Sequence, residues 1–400
     1  MSDAERKRLK KAKKKLAKKQ EEEERLRIKK KKKEKRKRLK KAQQENQKKL
    51  EQEQQQKNLQ LESESENDEE ILSIAEPEPP SYDMVVFLEM TSNSSKRSLL
   101  KAIGSGGENQ GRKVHYYYKT AVIPCSVAVI FSFSNTIISN TEKKPRHLFR
   151  EKIVKNQSKN NNLSLFVDSD ATACYNTEET RGMYIRLALD SIFPDKANYL
   201  FRSGHSEDIK KGLKRWRVLC DNKNISPQSW KSYPTSNTSM PILICHQSNS
   251  GFLMCEKNPL QWLTETVVEI RKHTSRKIVI RLPQNALGKS KNHTTPDFPA
   301  DQNIEISRVK SLVEDVQRSM CVVVHSSSAA ICPIVEGIAL FAMSPKCIAW
   351  QVANHDLSRI EHPETPNRNT FFSLLGASHW TLEELKKGDY WKPLDNFLIH

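Results

Sequence analysis

Residues 321–341 read CVVVHSSSAAICPIVEGIALF and carry the strongest indication of the fold class. Cys321–Val324 is a short apolar run of the kind that forms a buried parallel strand. A small polar turn follows at residues 325–328, and the residues after it have helical spacing up to Gly337. Ile338–Phe341 then begins another strand. The order strand, serine-rich turn, helix, strand is the repeating unit of a parallel α/β sheet.

The serine-rich turn is the part of this stretch where we expect a ligand. In an open α/β sheet, phosphates bind where a helix begins after the carboxyl end of a strand. The hydroxyl and amide groups of residues 326–328 suit an anion, and Glu336 is a candidate acceptor for ribose hydroxyls. The same residues also fit an ordinary strand-to-helix connection with Ser328 as the helix cap. Spacing alone does not separate the two interpretations.

The rest of the second half repeats the α/β alternation. Residues 241–245 and 277–281 are predicted strands, and residues 258–273 form a predicted amphipathic helix between them. A further helix is predicted over residues 307–319. The pattern therefore predicts one α/β domain over residues 240–400.

The first half also predicts an α/β domain, over residues 82–222. Its predicted strands cover residues 84–90, 114–119, 127–133 and 163–167. The glycine-rich segment GSGGENQG, residues 104–111, does not follow a strand closely enough for a dinucleotide-binding fingerprint, so a loop is predicted there. Residues 222–240 are rich in Ser, Asn, Pro and Thr and are interpreted as the hinge between the halves.

Two acidic residues, Asp168 and Asp170, follow the last predicted strand of the first half. Carboxylates at the end of a parallel strand are candidate site residues. They are also common turn formers, so a purely local role is an equally simple interpretation.

A strongly basic segment begins the chain. Residues 1–60 hold 26 Lys and Arg against 10 Asp and Glu, and their few leucines lack heptad spacing. We interpret them as a charged, helix-prone arm that binds nucleic acid or an anionic membrane, or that only solubilises the chain. Residues 61–81 are acidic, contain Pro-Glu-Pro-Pro and are predicted to be a linker. By the same count, residues 81–400 keep a net charge of +11, which favours an anionic partner.

The sequence also contains information on the cellular compartment of the protein. No apolar run is long enough for a transmembrane helix, and the charged N-terminus does not resemble a secretory signal. The eight cysteines contain no CxxC pair, so we expect buried free thiols in a reducing compartment. A cytoplasmic location is therefore predicted, in a host cell if the protein is viral. The cysteines lie at positions 125, 174, 220, 245, 255, 321, 332 and 347.

Four segments of the second half together resemble a known enzyme group. They are PILICHQSNSGFLM, WLTETVVEIRKHTSRKIVIRLPQN, VVVHSSSAAICPIVEGIALF and HDLSRIEHPETPNRNTFFSLLGASHWTLEEL, within residues 240–390. They resemble glycosyltransferases of the glycosyltransferase-B type encoded by phages. More distantly, they are similar to bacterial capsule enzymes that transfer Kdo or sialic acid from CMP-sugars. The resemblance implies two Rossmann-like domains after the arm, the first for the acceptor and the second for a nucleotide-sugar donor.

The resemblance also implies roles for individual residues. The serine turn would bind the donor phosphate, Glu336 the ribose or the sugar, and Arg281 the leaving phosphate. The strand and loop before residue 252 would line the donor cleft. The implied donor-binding residues are Gln247, Ser250, Gly251, Arg281, Ser326, Ser327, Ser328 and Glu336.

One position departs from the family pattern. Leu282-Pro283 stands where the group has His-Pro, so the imidazole that would polarise the leaving group is missing. Either His325 or Lys289 replaces it, or the enzyme is weakened or inactive. The base that activates the acceptor would come from the first half, where Asp168 and Asp170 are the candidates.

The predicted function is therefore transfer of a sugar from a nucleotide-sugar to an anionic acceptor. A modified DNA base and a surface glycan both fit the basic charge. The alternative is a catalytically degenerate binding protein that its arm tethers to nucleic acid or to a virion. No cofactor is implied, and no metal is expected, although Asp168-Ser169-Asp170 has the letters of a DxD metal motif.

Overall fold

The computed structural model describes residues 82–90, 93–131, 145–191, 199–201, 205–232, 239–247, 258–283 and 303–398. All of them belong to the unit Pro80–His400. The predicted arm, 1–60, and linker, 61–81, lie outside the described residues. So do Ser250, Gly251 and Lys289.

The first sheet has six strands in the order β11-β5-β4-β3-β1-β2. Strands β1 to β4 run parallel, whereas β5 is antiparallel to β4 and β11 is antiparallel to β5. The strands are β1 Tyr82–Phe87, β2 Val114–Tyr117, β3 Cys125–Phe131, β4 Leu163–Ser169, β5 Tyr184–Leu189 and β11 His379–Thr381. The helices of this half are α1 Ser94–Asn109, α2 Pro145–Lys159 and α3 Ser206–Lys223.

The second sheet has five strands, all parallel, in the order β10-β9-β6-β7-β8. The strands are β6 Ile242–Cys245, β7 Ile278–Arg281, β8 Ile304–Ile306, β9 Cys321–Val324 and β10 Ala339–Ala342. Three helices connect them: α4 Pro259–Arg271, α5 Leu312–Gln317 and α6 Ile331–Glu336. Two mainly parallel sheets with helical connections confirm the predicted α/β class with two Rossmann-like halves.

The end of the chain returns to the first sheet. Helix α7 Asn369–Ser378 leads into β11, and α8 Leu382–Lys387 and α9 Trp391–Leu398 follow. Strand β11 pairs with β5, and α8 packs against α1. Tyr390 and Trp391 are buried in the core of the first half. Residues 379–398 therefore pack with the first sheet, although the sequence placed them in the domain that begins at residue 240.

The core of the first half lies on both faces of its sheet. Alternate residues of β1 and β3 point to opposite faces, as the two-residue period of a strand requires. One set packs against α1, α8 and α9, and the other packs against α2. Burial on both faces explains why these strands are continuous apolar runs in the sequence.

Helix α1 contradicts the prediction of a loop over residues 104–111. The helix continues to Asn109 and contains Gly104, Gly106 and Gly107. A Cβ at Gly106 would overlap the backbone carbonyl oxygen of Leu385 in α8, and one at Gly104 would overlap the ring of Tyr116. The glycines allow close packing of neighbouring elements, so tertiary contact outweighs their poor helix propensity.

Among the described helices, none combines the length and the apolar character that spanning a bilayer requires.

Candidate functional site

The second sheet reverses its strand order between β6 and β9. From β6 the chain adds β7 and β8 on one side, and it then crosses to add β9 and β10 on the other side. After β6 and after β9 the chain therefore adds strands toward opposite ends of the sheet, and a crevice is expected at the carboxyl edge between these two strands. Ligands of open α/β sheets bind in such a crevice.

Gln247 and Ser326 meet across this crevice. The Gln247 side-chain oxygen accepts a hydrogen bond of 2.8 Å from the backbone N–H of Ser326, and its amide nitrogen lies 3.3 Å from the Ser326 hydroxyl. Gln247 is only 9 % exposed. The contact fixes the first residue of the serine turn relative to β6, so the structure brings together two of the predicted donor-binding residues.

The other two serines shape the turn. Ser327, rather than the predicted Ser328, is the cap, because its hydroxyl accepts a 3.1 Å hydrogen bond from the Ala329 N–H. Ser328 is exposed and begins a short 3-10 turn that leads into α6. The crevice therefore has a polar, partly exposed wall of hydroxyl and amide groups beside the buried Gln247.

His325 lies beneath the turn rather than in the open crevice. It is 3 % exposed, and its ring packs edge to face against Trp262 of α4 at 5.7 Å between centroids. Its Nδ1 lies 3.4 Å from the Ser326 hydroxyl. This imidazole therefore contacts the serine turn, and its burial restricts direct access to a ligand.

Arg281 is engaged elsewhere. Its guanidinium forms an ion pair with Asp315 and donates to the carbonyls of Val309, at 2.9 Å, and Lys310, at 2.7 Å. These contacts hold residues 307–311 as a loop, so α5 begins at Leu312 and not near 307 as predicted. Strand β6 separates β7 from β9, which puts the Arg281 strand about 10 Å from the serine turn. In this structure Arg281 therefore fixes a loop on the far side of β6.

Glu336 is likewise separated from the turn. It is the last residue of α6, eight residues after Ser328, and a helical rise of 1.5 Å per residue puts it about 12 Å away. Its carboxylate accepts hydrogen bonds from the Tyr175 hydroxyl, at 2.9 Å, and from the Gln317 amide, at 2.8 Å. Burial raises the pKa of Tyr175, which therefore stays a neutral donor. Glu336 joins the two halves.

Asp170 lies in a buried ionic cluster of the first half. Lys223 of α3 forms an ion pair with it and also donates to Thr172 and Asn176, each at 2.7 Å. Burial acts to raise the pKa of Asp170, but His379 and Lys223 outweigh it and hold that pKa well below its usual range. The carboxylate is ionised and held by fixed donors.

Asp168 is more accessible. It pairs directly with Arg186 across strands β4 and β5, and the two side chains form an ion pair. Its side chain is 20 % exposed. Asp168 and Asp170, the two acidic residues of the DxD-like sequence, therefore both contact cationic side chains. Within the described ranges, no group of three His, Cys, Asp or Glu side chains is arranged to hold a metal ion.

Sequence reasoning missed several residues of these clusters. Tyr175, Arg186 and Lys223 make the decisive contacts of the predicted acids, yet each is far along the chain from its partner or in a segment that lacked a clear pattern. The one available signal was Lys223, a lysine on the apolar side of an amphipathic helix.

Comparisons with known proteins find similar structures only. No protein-family model and no curated protein matches the chain. KpsC of Thermosulfurimonas dismutans, a beta Kdo 2,4 transferase, is 11% identical with a TM-score of 0.46, over 74% of this chain and 90% of that chain. The beta Kdo 2,7 transferase of KpsC from the same organism is 9% identical with a TM-score of 0.38, over 78% and 99%.

A third similar structure is the glycosyltransferase SnogD from Streptomyces nogalater. It is 10% identical with a TM-score of 0.25, over 78% of this chain and 72% of that chain. Kdo transferases are among the similar structures, as they are in the group that the sequence resembles. Because these three TM-scores are all below 0.5, the fold assignment rests on the two sheets themselves.

Proposed function

We propose that this chain is a glycosyltransferase that binds a nucleotide-sugar at the strand-order reversal of its second sheet. The observation that supports this best is the hydrogen bond between Gln247 and the Ser326 backbone, which joins β6 and β9 at the expected crevice. The serine turn supplies hydroxyl and amide groups that suit a phosphate. The sequence resemblance supplies the class of ligand.

Sugar transfer from a nucleotide-sugar requires stabilisation of the negative charge that develops on the leaving phosphate. In this proposal the serine turn does part of that work, because Gln247 holds its backbone in place before the ligand arrives. Arg281 acts as a positioning residue for residues 307–311. A cation for the phosphate would then come from elsewhere, and Lys289, between β7 and β8 in the chain, is the candidate.

The acceptor hydroxyl needs a base from the first half. Of the two candidates, Asp168 is the better one, because Asp170 is buried and held by Lys223 and Thr172. Asp168 is partly exposed at the carboxyl end of β4. The net charge of +11 over residues 81–400 supports an anionic acceptor, either a modified DNA base or a glycan.

A panel of UDP-sugars and CMP-sugars tests the proposal on the full-length protein. We expect nucleotide release with one donor class, and weaker donor binding in Gln247→Ala. That substitution removes the acceptor that holds the Ser326 N–H, so the donor would have to order the turn as it binds, at a cost of about 1–3 kcal/mol. This corresponds to roughly a 5- to 150-fold weaker affinity.

The matched control is Gln261→Ala, since Gln261 lies on the exposed side of α4 and its side chain donates to Glu265 of the same helix. The Gln261→Ala variant should bind the donor and release the nucleotide as the wild-type protein does. Absence of binding and turnover with every donor would remove the proposal, and so would a Gln247→Ala variant that binds its donor as tightly as the wild type.

A degenerate binding protein is the second candidate. Two observations favour it: Leu282 stands where the group has His, and Arg281 is committed to Asp315. The same panel separates the candidates, because this alternative predicts that the protein binds a nucleotide without releasing it from any sugar.

A further inference from the structure

The first sheet has a strand-order reversal of its own. Its parallel strands are ordered β2-β1-β3-β4, so the chain moves outward in one direction after β1 and in the other after β3. The carboxyl ends of β1 and β3 therefore border a second crevice of the kind that binds ligands. The proposed donor site, which lies on the second sheet, leaves this crevice unused.

Lys96 places a positive charge at this reversal. It lies in the first turn of α1, where its backbone N–H donates to the Asn93 side chain that caps the helix. Its ammonium group lies 4.5 Å from the centroid of the Phe131 ring, and Phe131 is the last residue of β3. Burial and the charge of Arg150 lower the pKa of Lys96, whereas Asp168 raises it. The contact with Phe131 therefore places the Lys96 ammonium group at the carboxyl end of β3.

Arg186 contributes an unused donor. It is 8 % exposed and forms its ion pair with Asp168 through one terminal nitrogen. Its Nε is buried and has no hydrogen-bond partner among the described residues. A buried donor without an acceptor costs about 1–3 kcal/mol, and more when the group is charged. An anion that supplies an oxygen there would recover this cost.

Arg150 is a third cation of this half, and its charge acts on Lys96. It lies on α2, which covers the other face of β3 and β4, and it is 4 % exposed. We call Lys96, Arg150, Asp168 and Arg186 the edge cluster. Its four side chains carry three positive charges and one negative charge.

We propose that the edge cluster is an anion-binding subsite that takes the carboxylate or phosphate group of a sugar. The unsatisfied Nε–H of Arg186 and the ammonium group of Lys96, at the same edge of the sheet, suit a single compact anion. A nucleic acid would instead need cations spread along an exposed groove. The binding of the anion stands by itself, whereas its role in holding the acceptor beside Asp168 rests on the proposed function.

Site-resolved lysine labelling tests the subsite. The full-length protein is treated with an amine-acylating reagent, and the labelling rates of Lys96 and Lys101 are read by mass spectrometry. Lys101 is an exposed lysine on the same helix and serves as the internal control. The probes are inorganic phosphate, glucose 1-phosphate, glucuronate and neutral glucose, at constant ionic strength and without any donor.

We expect an anion to slow labelling at Lys96 and not at Lys101. At a concentration about ten times its Kd, the anion should slow Lys96 roughly tenfold, because only unbound protein reacts. Protection by glucuronate identifies a sugar carboxylate, and protection by the phosphates alone identifies a sugar phosphate. Glucose should leave both rates unchanged, and Arg186→Gln should lose the protection.

The wild-type measurement decides the proposal even if Arg186→Gln does not fold. Equal labelling of Lys96 with and without every anion would overturn it. Equal slowing of Lys96 and Lys101 by any of the three anions would also overturn it, because that result indicates general charge attraction. Since no donor is used, protection at Lys96 together with a negative donor panel would keep the subsite and remove only its acceptor role.

Discussion

At the scale of single residues, the charged groups of this protein divide into those that hold the fold and those that remain accessible. Lys223 and Asp170 belong to the first kind, because both are buried and satisfied by Thr172 and Asn176. Asp168 and Lys96 belong to the second kind, since each is only partly buried at the carboxyl edge of the first sheet. Burial, rather than residue type, therefore separates structural acids from candidate site acids.

Replacing Lys223 should lower the free energy of unfolding more than replacing any exposed lysine of the same helix does. Lys223→Met removes the counter-ion of a buried carboxylate, so we expect the free energy of unfolding to fall by about 3–5 kcal/mol. Lys210→Met, which breaks only an exposed pair with Glu207, should change it by less than about 1 kcal/mol. Urea unfolding at neutral pH measures both. A Lys223→Met variant as stable as the Lys210→Met variant would contradict the ionic cluster.

The buried ionic cluster of Asp170 and Lys223 also predicts how the stability of the protein changes at acidic pH. The pKa of Asp170 is lower in the folded protein than in the unfolded chain, where a value of about 3.9 applies. Its contribution to stability is therefore complete above that pH and is lost as the pH falls through the folded-state pKa. In Lys223→Met this contribution is smaller, so unfolding free energy should decline less steeply below about pH 4 than it does in the wild type.

At the scale of elements, the glycines of α1 illustrate how local preference yields to packing. In an exposed helix, changing Gly to Ala would add about 1 kcal/mol of stability. Gly106→Ala should instead destabilise the protein by about 1–3 kcal/mol, because the new Cβ would overlap the Leu385 carbonyl oxygen. Ser98→Ala, on the exposed side of the same helix, is the control and should be neutral or slightly stabilising. Thermal unfolding of both variants checks the sign, and a stabilised Gly106→Ala would refute the close contact.

The elements that the sequence predicted well are those with purely local signals. Thr381 and Glu384 form a capping box, whose Thr-x-x-Glu spacing can be read from the sequence, and the strands of the second sheet follow their apolar runs. Strand β5 was missed because Tyr184 and Arg186 interrupt its apolar pattern, and both are buried only through partners on other elements.

The candidate site was predictable in part for the same reason. Gln247 and the serine turn follow adjacent strands, so an α/β alternation alone brings them together. The surroundings of Arg281 and Glu336 depend on Asp315, on Tyr175 and on the actual length of α5, none of which a local pattern contains.

At the scale of the whole molecule, each half has a strand-order reversal, and polar or charged groups lie at both. The halves also share one apolar cluster, to which α3 and α7 contribute from one side and α6 from the other. The hydrogen bond from the Tyr175 hydroxyl to Glu336 lies at this junction, beside Cys332. Two crevices with different charge character, joined by a packed interface, are what a two-substrate reaction would need.

Tyr175→Phe should therefore weaken the junction without disturbing either crevice directly. It leaves one oxygen of the buried Glu336 carboxylate without its donor, while Gln317 still serves the other oxygen. We expect a loss of about 1–3 kcal/mol in the free energy of unfolding. The control is Tyr118→Phe, because the Tyr118 side chain is 51% exposed and its hydroxyl can bond to water in both states. If Tyr175→Phe matched the control in urea unfolding, Glu336 would not depend on this hydroxyl. Its carboxylate would then be available for another partner.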